Sequence, residues 1–379
     1  MITMKNLYKG TIVGMVFLIA LAGSVNATEY DCTTCSNCTD MVDNVASAGD
    51  IVKMTQNLTY SFDTDCISAS SMDGVTLDCD GYRFTDTDQL GGYTFDLAFS
   101  DNFTIRNCEI YADDSGNKRQ INLANINNAT FSNIYVYEGG HSNAVIYGED
   151  CNDLVFEDIT LEDPKTRGIY LHSTINRTTL RNINITGTPS ADFIRIGRCH
   201  TNGVFEYVNL TGSSPVGIDF YTSPAETCGA GHTWNNTLSH SRIEGATVGI
   251  ELISNVIDNL FYDNYFNNTD NVANSSVVSN NWNTTYALGT NIVGGYYVGG
   301  NYWANPSGTG YSDTCTDTTP ADGICDTPFE VTSYDYLALT APVAPPVPDV
   351  IIDDRIMVGA ILITTVLIFA LANLALRLI

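Results

Sequence analysis

Apolar residues recur along this chain with two periods at once. The segments Asp101–Ile110 (DNFTIRNCEI), Asn127–Val136 (NNATFSNIYV), Asn152–Leu161 (NDLVFEDITL), Asn176–Ile185 (NRTTLRNINI) and Thr201–Leu210 (TNGVFEYVNL) share one pattern. An apolar anchor is followed two places on by Asn or Asp (Tyr in the last), and five places on by a second apolar residue. The anchors Ile105, Phe131, Phe156, Leu180 and Phe205 lie 26, 25, 24 and 25 residues apart, with Leu77 before them and Leu238 and Phe261 after. A period of this length marks a solenoid. Within each unit the alternation is that of strands, and no helical stretch intervenes, which excludes leucine-rich and ankyrin-like arrays. The pattern predicts an all-β parallel β-helix, three short strands per coil around an apolar interior.

A second strand series supports the coil: AVIYG at 144–148, GIYLH at 168–172, FIRIG at 193–197, GIDFY at 217–221 and GIELI at 249–253. Alternation assigns Val145, Ile169, Ile194, Ile218 and Ile250 to the interior, followed by Tyr147, Leu171, Ile196, Phe220 and Leu252. It assigns Ile146, Tyr170, Arg195, Asp219 and Glu251 to one outward column, and Gly148, His172, Gly197, Tyr221 and Ile253 to the next. Equivalent residues should stack at the inter-strand spacing of about 4.8 Å. Asn107, Asn133, Asp158 and Asn182 fall at one bend and are expected to form a hydrogen-bonded ladder.

The chain ends read differently. Residues 1–27 have the form of a secretory signal: Lys5 and Lys9, a short apolar run, and small residues before Thr28. Residues 28–71 lack the repeat and are expected to cap the open N-terminal end. The solenoid is expected over 72–283, a closing element over 284–340, and a Pro-rich linker over 341–353. Residues 354–379 hold the apolar run Ile356–Leu376, long enough for one transmembrane helix, with Arg377 after it. Cationic residues favour the cytoplasmic side, so the body is expected outside the cytoplasmic membrane, at the cell surface.

Composition agrees with that address. The net charge is −27, which excludes nucleic acid as a partner. Charged residues are only 16%, so turns and strand faces draw their polarity from Asn, Thr, Ser and Gly. The 11 cysteines suit an oxidising compartment. Cys315–Cys325 is the expected pair around one loop, with Cys66–Cys79 and Cys199–Cys228 as further neighbours. Cys32, Cys35 and Cys38 fit disulfides better than a metal, because no histidine stands near to complete a ligand set. Asn37, Asn57, Asn102, Asn128, Asn176, Asn184, Asn209, Asn235, Asn267, Asn274 and Asn283 each head an N-x-[ST] sequon, so N-glycans are expected. None falls between Glu138 and Ile175 or between Gly212 and Trp234, which suggests a glycan-free side around Tyr170, Arg195 and Asp219.

The coil repeat resembles the right-handed parallel β-helices of the pectate-lyase and NosD-like superfamily. The segment from Gly294 to Leu339 (GGYYVGGNYWANPSGTGYSD…ADGICDTPFEV…DYLAL) resembles the closing element of archaeal NosD-like surface proteins. The resemblance implies a right-handed solenoid and leaves function open among polysaccharide lyases, hydrolases, adhesins and envelope proteins. Neither the acidic Ca²⁺ cluster of pectate lyases nor the three-aspartate set of polygalacturonase-like enzymes is written cleanly here.

The outward columns are the candidate binding face: Tyr170, His172, Arg195, Asp219, Tyr221 and Glu251. Arginine can neutralise a uronate and aromatics stack on sugar rings. Asp219, Glu251 and Arg195 are the catalytic candidates if the face is an active site, since carboxylates on adjoining coils approach the spacing of about 5 Å used by retaining glycosidases. The alternative is a salt-bridged ladder without a reaction. Ser223–Thr233 is the one longer insertion of the solenoid and would wall one side of a cleft. Asp317, Asp322, Asp326 and Glu330 surround the Cys315–Cys325 loop and could hold a structural Ca²⁺ or merely close an acidic turn. No cofactor signature is present. His141, His200, His232 and His240 are scattered and expected at surfaces or turns, and the lack of His or Met clusters speaks against copper handling. The sequence therefore points first to an anchored envelope or adhesin-like protein that binds polysaccharide or glycoprotein. A tethered lyase or hydrolase comes second, and a NosD-like accessory protein third.

Overall fold

The computed structural model describes residues 27–342, apart from 62–64, 88–91, 113–118, 141–142, 222–232, 254, 275–278 and 319. The expected signal, most of the linker and the C-terminal apolar run lie outside the described residues. Among the described residues no helix is long and apolar enough to cross a membrane.

The body is a right-handed parallel β-helix built from a 15-stranded sheet and a 9-stranded sheet. The repeat anchors stack in the expected register. Leu77 pairs with Ile105, Ile105 with Phe131, Phe131 with Phe156, Phe156 with Leu180, Leu180 with Phe205, Phe205 with Leu238 and Leu238 with Phe261. All are buried, and the rings of Phe131 and Phe156 stack at 5.0 Å. Burying each such side chain stabilises the fold by about 1.5–3 kcal/mol, before the entropy of ordering it is set against that.

The long strands of the first sheet, such as Asn127–Tyr137 and Asn152–Glu162, each turn a corner partway along. The corner residues Asn107, Asn133, Asp158 and Asn182 have φ of 58°, 52°, 57° and 54°. Asn and Asp enter this left-handed region more readily than other residues with a Cβ. The expected ladder forms there in two stretches: Asn133 donates to Asn107 Oδ1 at 2.9 Å and Asn107 to Asp78 Oδ1 at 2.9 Å, and, separately, Asn182 donates to Asp158 Oδ1 at 3.0 Å. Tyr207 and His240 take the next two corner positions, also at positive φ, and stack ring on ring at 5.3 Å. A second ladder, absent from the sequence reading, runs up the preceding corner. Asn127 donates to Asp101, Asn152 to Asn127, Asn176 to Asn152, and Thr201 to Asn176, at 2.6–3.0 Å.

The second sheet runs from Ile67–Ala69 to Asp270–Asn274. Its first expected register is corrected by one residue. Ile146 pairs with Ile169 and Gly148 with Leu171, so Tyr147 rather than Ile146 joins the column of Tyr170. A-V-I-Y-G contains no polar residue to phase the alternation, and a one-residue slip exchanges its faces. By the same shift Glu149, not Gly148, pairs with His172.

Parallel stacking also extends back beyond Met72: Ile51–Met54 pairs with Thr76–Asp78, and Glu29–Cys32 with Ile51–Met54. The helix Cys35–Asp40 is tied to these coils by Cys32–Cys38 and Cys35–Cys66. The expected Cys66–Cys79 pair is therefore wrong. Cys79 joins Cys108 instead, because the disulfide follows the stack from one coil to the next rather than the nearest cysteine in sequence. Cys315–Cys325 is present. Cys199 is disulfide-bonded, and Cys228 lies outside the described residues. Cys151 is free and buried.

The closing element seals the first sheet. Tyr302–Ala304 pairs with Tyr265–Asn267, and Trp282 and Trp303 fill the end of the core. Buried amides replace apolar residues in the last coils: Asn236 donates to Asn259 and Asn259 to Asn280, at 2.9 and 3.0 Å. Asp335 accepts from Trp303 Nε1 at 2.9 Å and from the Asn301 amide at 2.8 Å.

The corner ladder yields a graded prediction. Asn133→Gly should lose only the ladder bonds, whereas Asn133→Ala adds left-handed strain and should cost about 1–2 kcal/mol more. Denaturant midpoints of the two variants check the order, and equal midpoints would remove left-handed strain as the reason for asparagine at this corner.

Candidate functional site

The second sheet carries an outward register column of Asp96, Asn122, Tyr147, Tyr170, Arg195, Asp219 and Glu251. The structure thus unites Tyr170, Arg195, Asp219 and Glu251 as expected. His172 follows Tyr170 on its strand, and the Tyr221 amide donates to Ile196 O at 2.8 Å, which holds Tyr221 beside the same face.

At the centre stands an ion cluster. Arg195 reaches Asp219 Oδ2 at 2.8 Å and Asp192 Oδ2 at 2.9 Å, while Arg167 reaches the same Asp192 oxygen at 2.6 Å. Arg195 lies 5.7 Å from the Tyr170 ring and 5.3 Å from the Tyr221 ring, within cation–π range of both. Toward the N-terminal coils, Arg119 lies 3.4 Å over Tyr147, and its Nη1 donates to Asn122 at 2.7 Å. Tyr147, Tyr170 and His172 pack ring against ring at 5.2–5.9 Å. His172 Nδ1 is 3.5 Å from Glu149 and 2.9 Å from Ser173 Oγ. Burial lowers the His172 pKa, and Glu149 opposes that only in part.

Asp219 is not the solvated rung that the alternation suggests. It is 1% exposed, and its Oδ1 has no hydrogen-bond partner. Burial pushes its carboxyl up to about 7; Arg195 works against the shift, and Asp192 and Glu251 add to it. Burial also opposes the charge on Arg195, yet Asp192 and Asp219 together hold its pKa above the ordinary value. These two directions pull apart across one ion pair. The upward direction at Asp219 stands, because Arg195 is shared with Asp192 and leaves one Asp219 oxygen unpaired.

Sequence reasoning missed Arg167, Asp192 and Arg119. The first two each stand two residues before an inward isoleucine, Ile169 or Ile194, so alternation assigns them to the interior rather than to the face of Tyr170 and Arg195. Arg119 follows the undescribed residues 113–118 and had no pattern to place it. Of the insertion Ser223–Thr233, all but Thr233 lies outside the described residues.

The proposed calcium ligands are not gathered. Asp317 accepts from the amides of Asp322 and Gly323, Asp322 from the Ile324 amide and the Tyr286 hydroxyl, and Asp326 from Thr318. Glu330 is exposed on a separate short strand. Three of the four carboxylates are thus committed to closing a turn. Among the described residues no group of three or more His, Cys, Asp or Glu could hold a metal.

A family model described as "Periplasmic copper-binding protein (NosD)" matches residues 91–308, which covers most of the solenoid and enters the closing element. The chain belongs to the NosD family. No curated protein matches it. The fold is similar to that of an alginate lyase from Paenibacillus sp. str. FPU-7, with 12% identity, a TM-score of 0.45, and coverage of 67% of this chain and 95% of that one. It is also similar to a PL6 family polysaccharide lyase from Pseudopedobacter saltans, with 11% identity, a TM-score of 0.24, and coverage of 84% and 88%.

The described donors of this NosD-family chain do not assemble a copper site. His200, expected at a surface or turn, is buried among the coils with Nδ1 2.9 Å from Asn236 Oδ1. His240 holds Asp263 through Nδ1, and His172 faces Glu149. Every described cysteine except Cys151 is disulfide-bonded. His141 and His232 lie outside the described residues.

The Asp219 environment makes a pH prediction. A carboxyl raised from 3.8 to about 7 contributes stability that is complete below about pH 4 and lost as pH rises through about 7. Melting temperatures across that range should fall with rising pH in the native chain and flatten in Asp219→Asn. An unchanged slope in the variant would mean that Asp219 titrates as an ordinary carboxylate.

Proposed function

We propose that this NosD-family protein is a cell-surface β-helix, membrane-held and N-glycosylated, whose second sheet binds a polysaccharide or envelope glycoprotein in an adhesin-like or structural role. The observation that carries the reading is the arginine–aromatic face. Tyr147, Tyr170 and Tyr221 surround Arg119 and Arg195, while Asp192 and Asp219 are engaged within the fold by Arg167 and Arg195. Such a face offers rings and cation edges to sugars without a freely exposed acid–base pair.

The sequons support the same orientation. Of the eleven, only Asn274 falls on a strand of the second sheet, at its last strand, and none of the eleven is buried. Glycans would then coat the first sheet and the corners and leave the Tyr170 region bare. The disulfides and the family's description as periplasmic support a body outside the cytoplasm. The membrane anchor rests on the apolar run Ile356–Leu376 alone.

One observation favours a second reading, a lyase or hydrolase. Burial pushes the Asp219 carboxyl up to about 7, and Asp219 pairs in register with Glu251 on the next coil. A carboxyl of raised pKa facing a second carboxylate is the arrangement that glycoside hydrolysis uses.

Two measurements separate these readings. The full chain in detergent is screened on a glycan array with product analysis, and glycosylated sites are mapped by mass spectrometry. Binding without product is expected, weakened about tenfold by Tyr170→Ala or Tyr221→Ala, which leave the ion cluster intact. Shortened or unsaturated products that vanish in Asp219→Asn would replace binding by catalysis. Glycans spread evenly over both sheets would remove the bare-face argument.

A further inference from the structure

Large apolar side chains are exposed unevenly over this protein. Of the eight that stand out among the described residues, Tyr286, Leu288, Tyr296, Tyr334 and Tyr336 belong to the closing element. Five on one element form a patch rather than a scatter, and such patches mark binding surfaces. The patch holds a groove of about 610 Å³, within the range of small-ligand sites at about 300–1,000 Å³. Tyr286 and Tyr336, 43% and 61% exposed, supply its rings, and Asn281, Asn283, Thr284 and Thr285 supply amides and hydroxyls. Among the described residues no charged side chain lines it. Tyr286 is held in place, since its ring stacks on Tyr297 at 4.8 Å and its hydroxyl donates to Asp322 Oδ2 at 3.0 Å. Rings flanked by neutral hydrogen-bonding groups suit an uncharged sugar, whose C–H face packs on an aromatic while its hydroxyls bond at the margin.

A sequon stands inside this groove, Asn283-Thr284-Thr285. Asn283 Oδ1 accepts from the Tyr336 amide at 3.3 Å, which fixes the side chain beside one of the two tyrosines. Its Nδ2 donates one hydrogen to Thr284 O at 3.2 Å and keeps the other for a bond to sugar.

We propose that the oligosaccharide on Asn283 folds back into this groove and lies across Tyr286 and Tyr336, an inference that rests on the N-glycosylation proposed above. Attachment joins Nδ2 to the anomeric carbon of a lipid-phosphate-linked sugar, breaks that carbon's bond to the phosphate oxygen, and releases the lipid phosphate and one Nδ2 proton. The tether decides the occupant. A sugar fixed at Asn283 acts at an effective concentration of about millimolar, so it fills a weak stacking site ahead of a dilute glycan or protein in solution. The glycan is then the outer wall of the closing element rather than a freely waving chain.

The test is hydroxyl-radical footprinting of the full chain in detergent, read by mass spectrometry, which also reports the occupancy of each sequon. Thr285→Ala removes the sequon and leaves Asn283 in place, and Thr285→Ser keeps the glycan as a control. Tyr286 and Tyr336 should label about twofold faster in Thr285→Ala than in the native chain, as expected on losing a tethered occupant present half the time, with Tyr207 unchanged. In the Tyr336→Ala background, the difference at Tyr286 between chains with and without the glycan should vanish. A sugar that merely hangs nearby would shield Tyr286 whether or not Tyr336 is present, so a difference that Tyr336→Ala leaves unaltered would overturn the proposal. Equal labelling of the native and Thr285→Ala chains with Asn283 occupied would do the same, and both results leave the glycoprotein reading standing. An empty Asn283 beside other occupied sequons also sinks the proposal alone, whereas a chain empty at every sequon removes that reading with it. Protection of Thr285→Ala by micromolar oligosaccharide released from the native chain would assign the groove to a partner's glycan instead.

Discussion

Every coil of this protein must match the coil above and below it, residue for residue, at one strand spacing. That constraint shapes nearly everything else. It places a phenylalanine on a phenylalanine inside and an asparagine on an asparagine at the corners, and it lets a tyrosine, an arginine and an aspartate from three separate turns share one face. A position is never judged alone, because it appears again about 25 residues later with the same surroundings.

This is also why so much of the fold was legible. The eight anchors from Leu77 to Phe261 are one chemical choice repeated, and the bend asparagines are another. Where repetition fails, so does the reading. A-V-I-Y-G lacks a polar residue, so Tyr147 and Ile146 exchanged roles. Cys79 lies closer in sequence to Cys66 than to Cys108, yet the stack joins it to Cys108. The site was only half visible for a related reason. Alternation placed Tyr170, Arg195 and Asp219 on a common face, but the burial of Asp219 arises from neighbours on other coils that a linear pattern does not register.

The same stacking decides how electrostatics behave in this chain. With so many more acids than bases, arginine has possible partners all along the chain. Yet Arg119, Arg167 and Arg195 gather on the second sheet, where aromatic rings and shared carboxylates hold them. The price is a buried aspartate that resists ionisation, and it is borne at one rung rather than along the whole face. The corner positions show the complementary case. His240, locked to the buried Asp263, has its pKa raised by that hydrogen bond. Two titrating carboxylate-linked groups on one solenoid are thus moved by different causes, burial in one and a partner in the other.

The cross-links are distributed unevenly. Three of the four fully described disulfides, Cys32–Cys38, Cys35–Cys66 and Cys79–Cys108, fasten the first coils to one another and to the capping helix, whereas Cys315–Cys325 closes only a local loop. Under mechanical load the molecule is therefore not symmetric. Its N-terminal coils are covalently bound against peeling, while the central coils from Asn127 to Asn184 are held by backbone ladders and stacked side chains that can be unzipped one turn at a time. Force pulling on the two ends would be dissipated by the middle of the rod, and the riveted tip would be the last part to lose its shape.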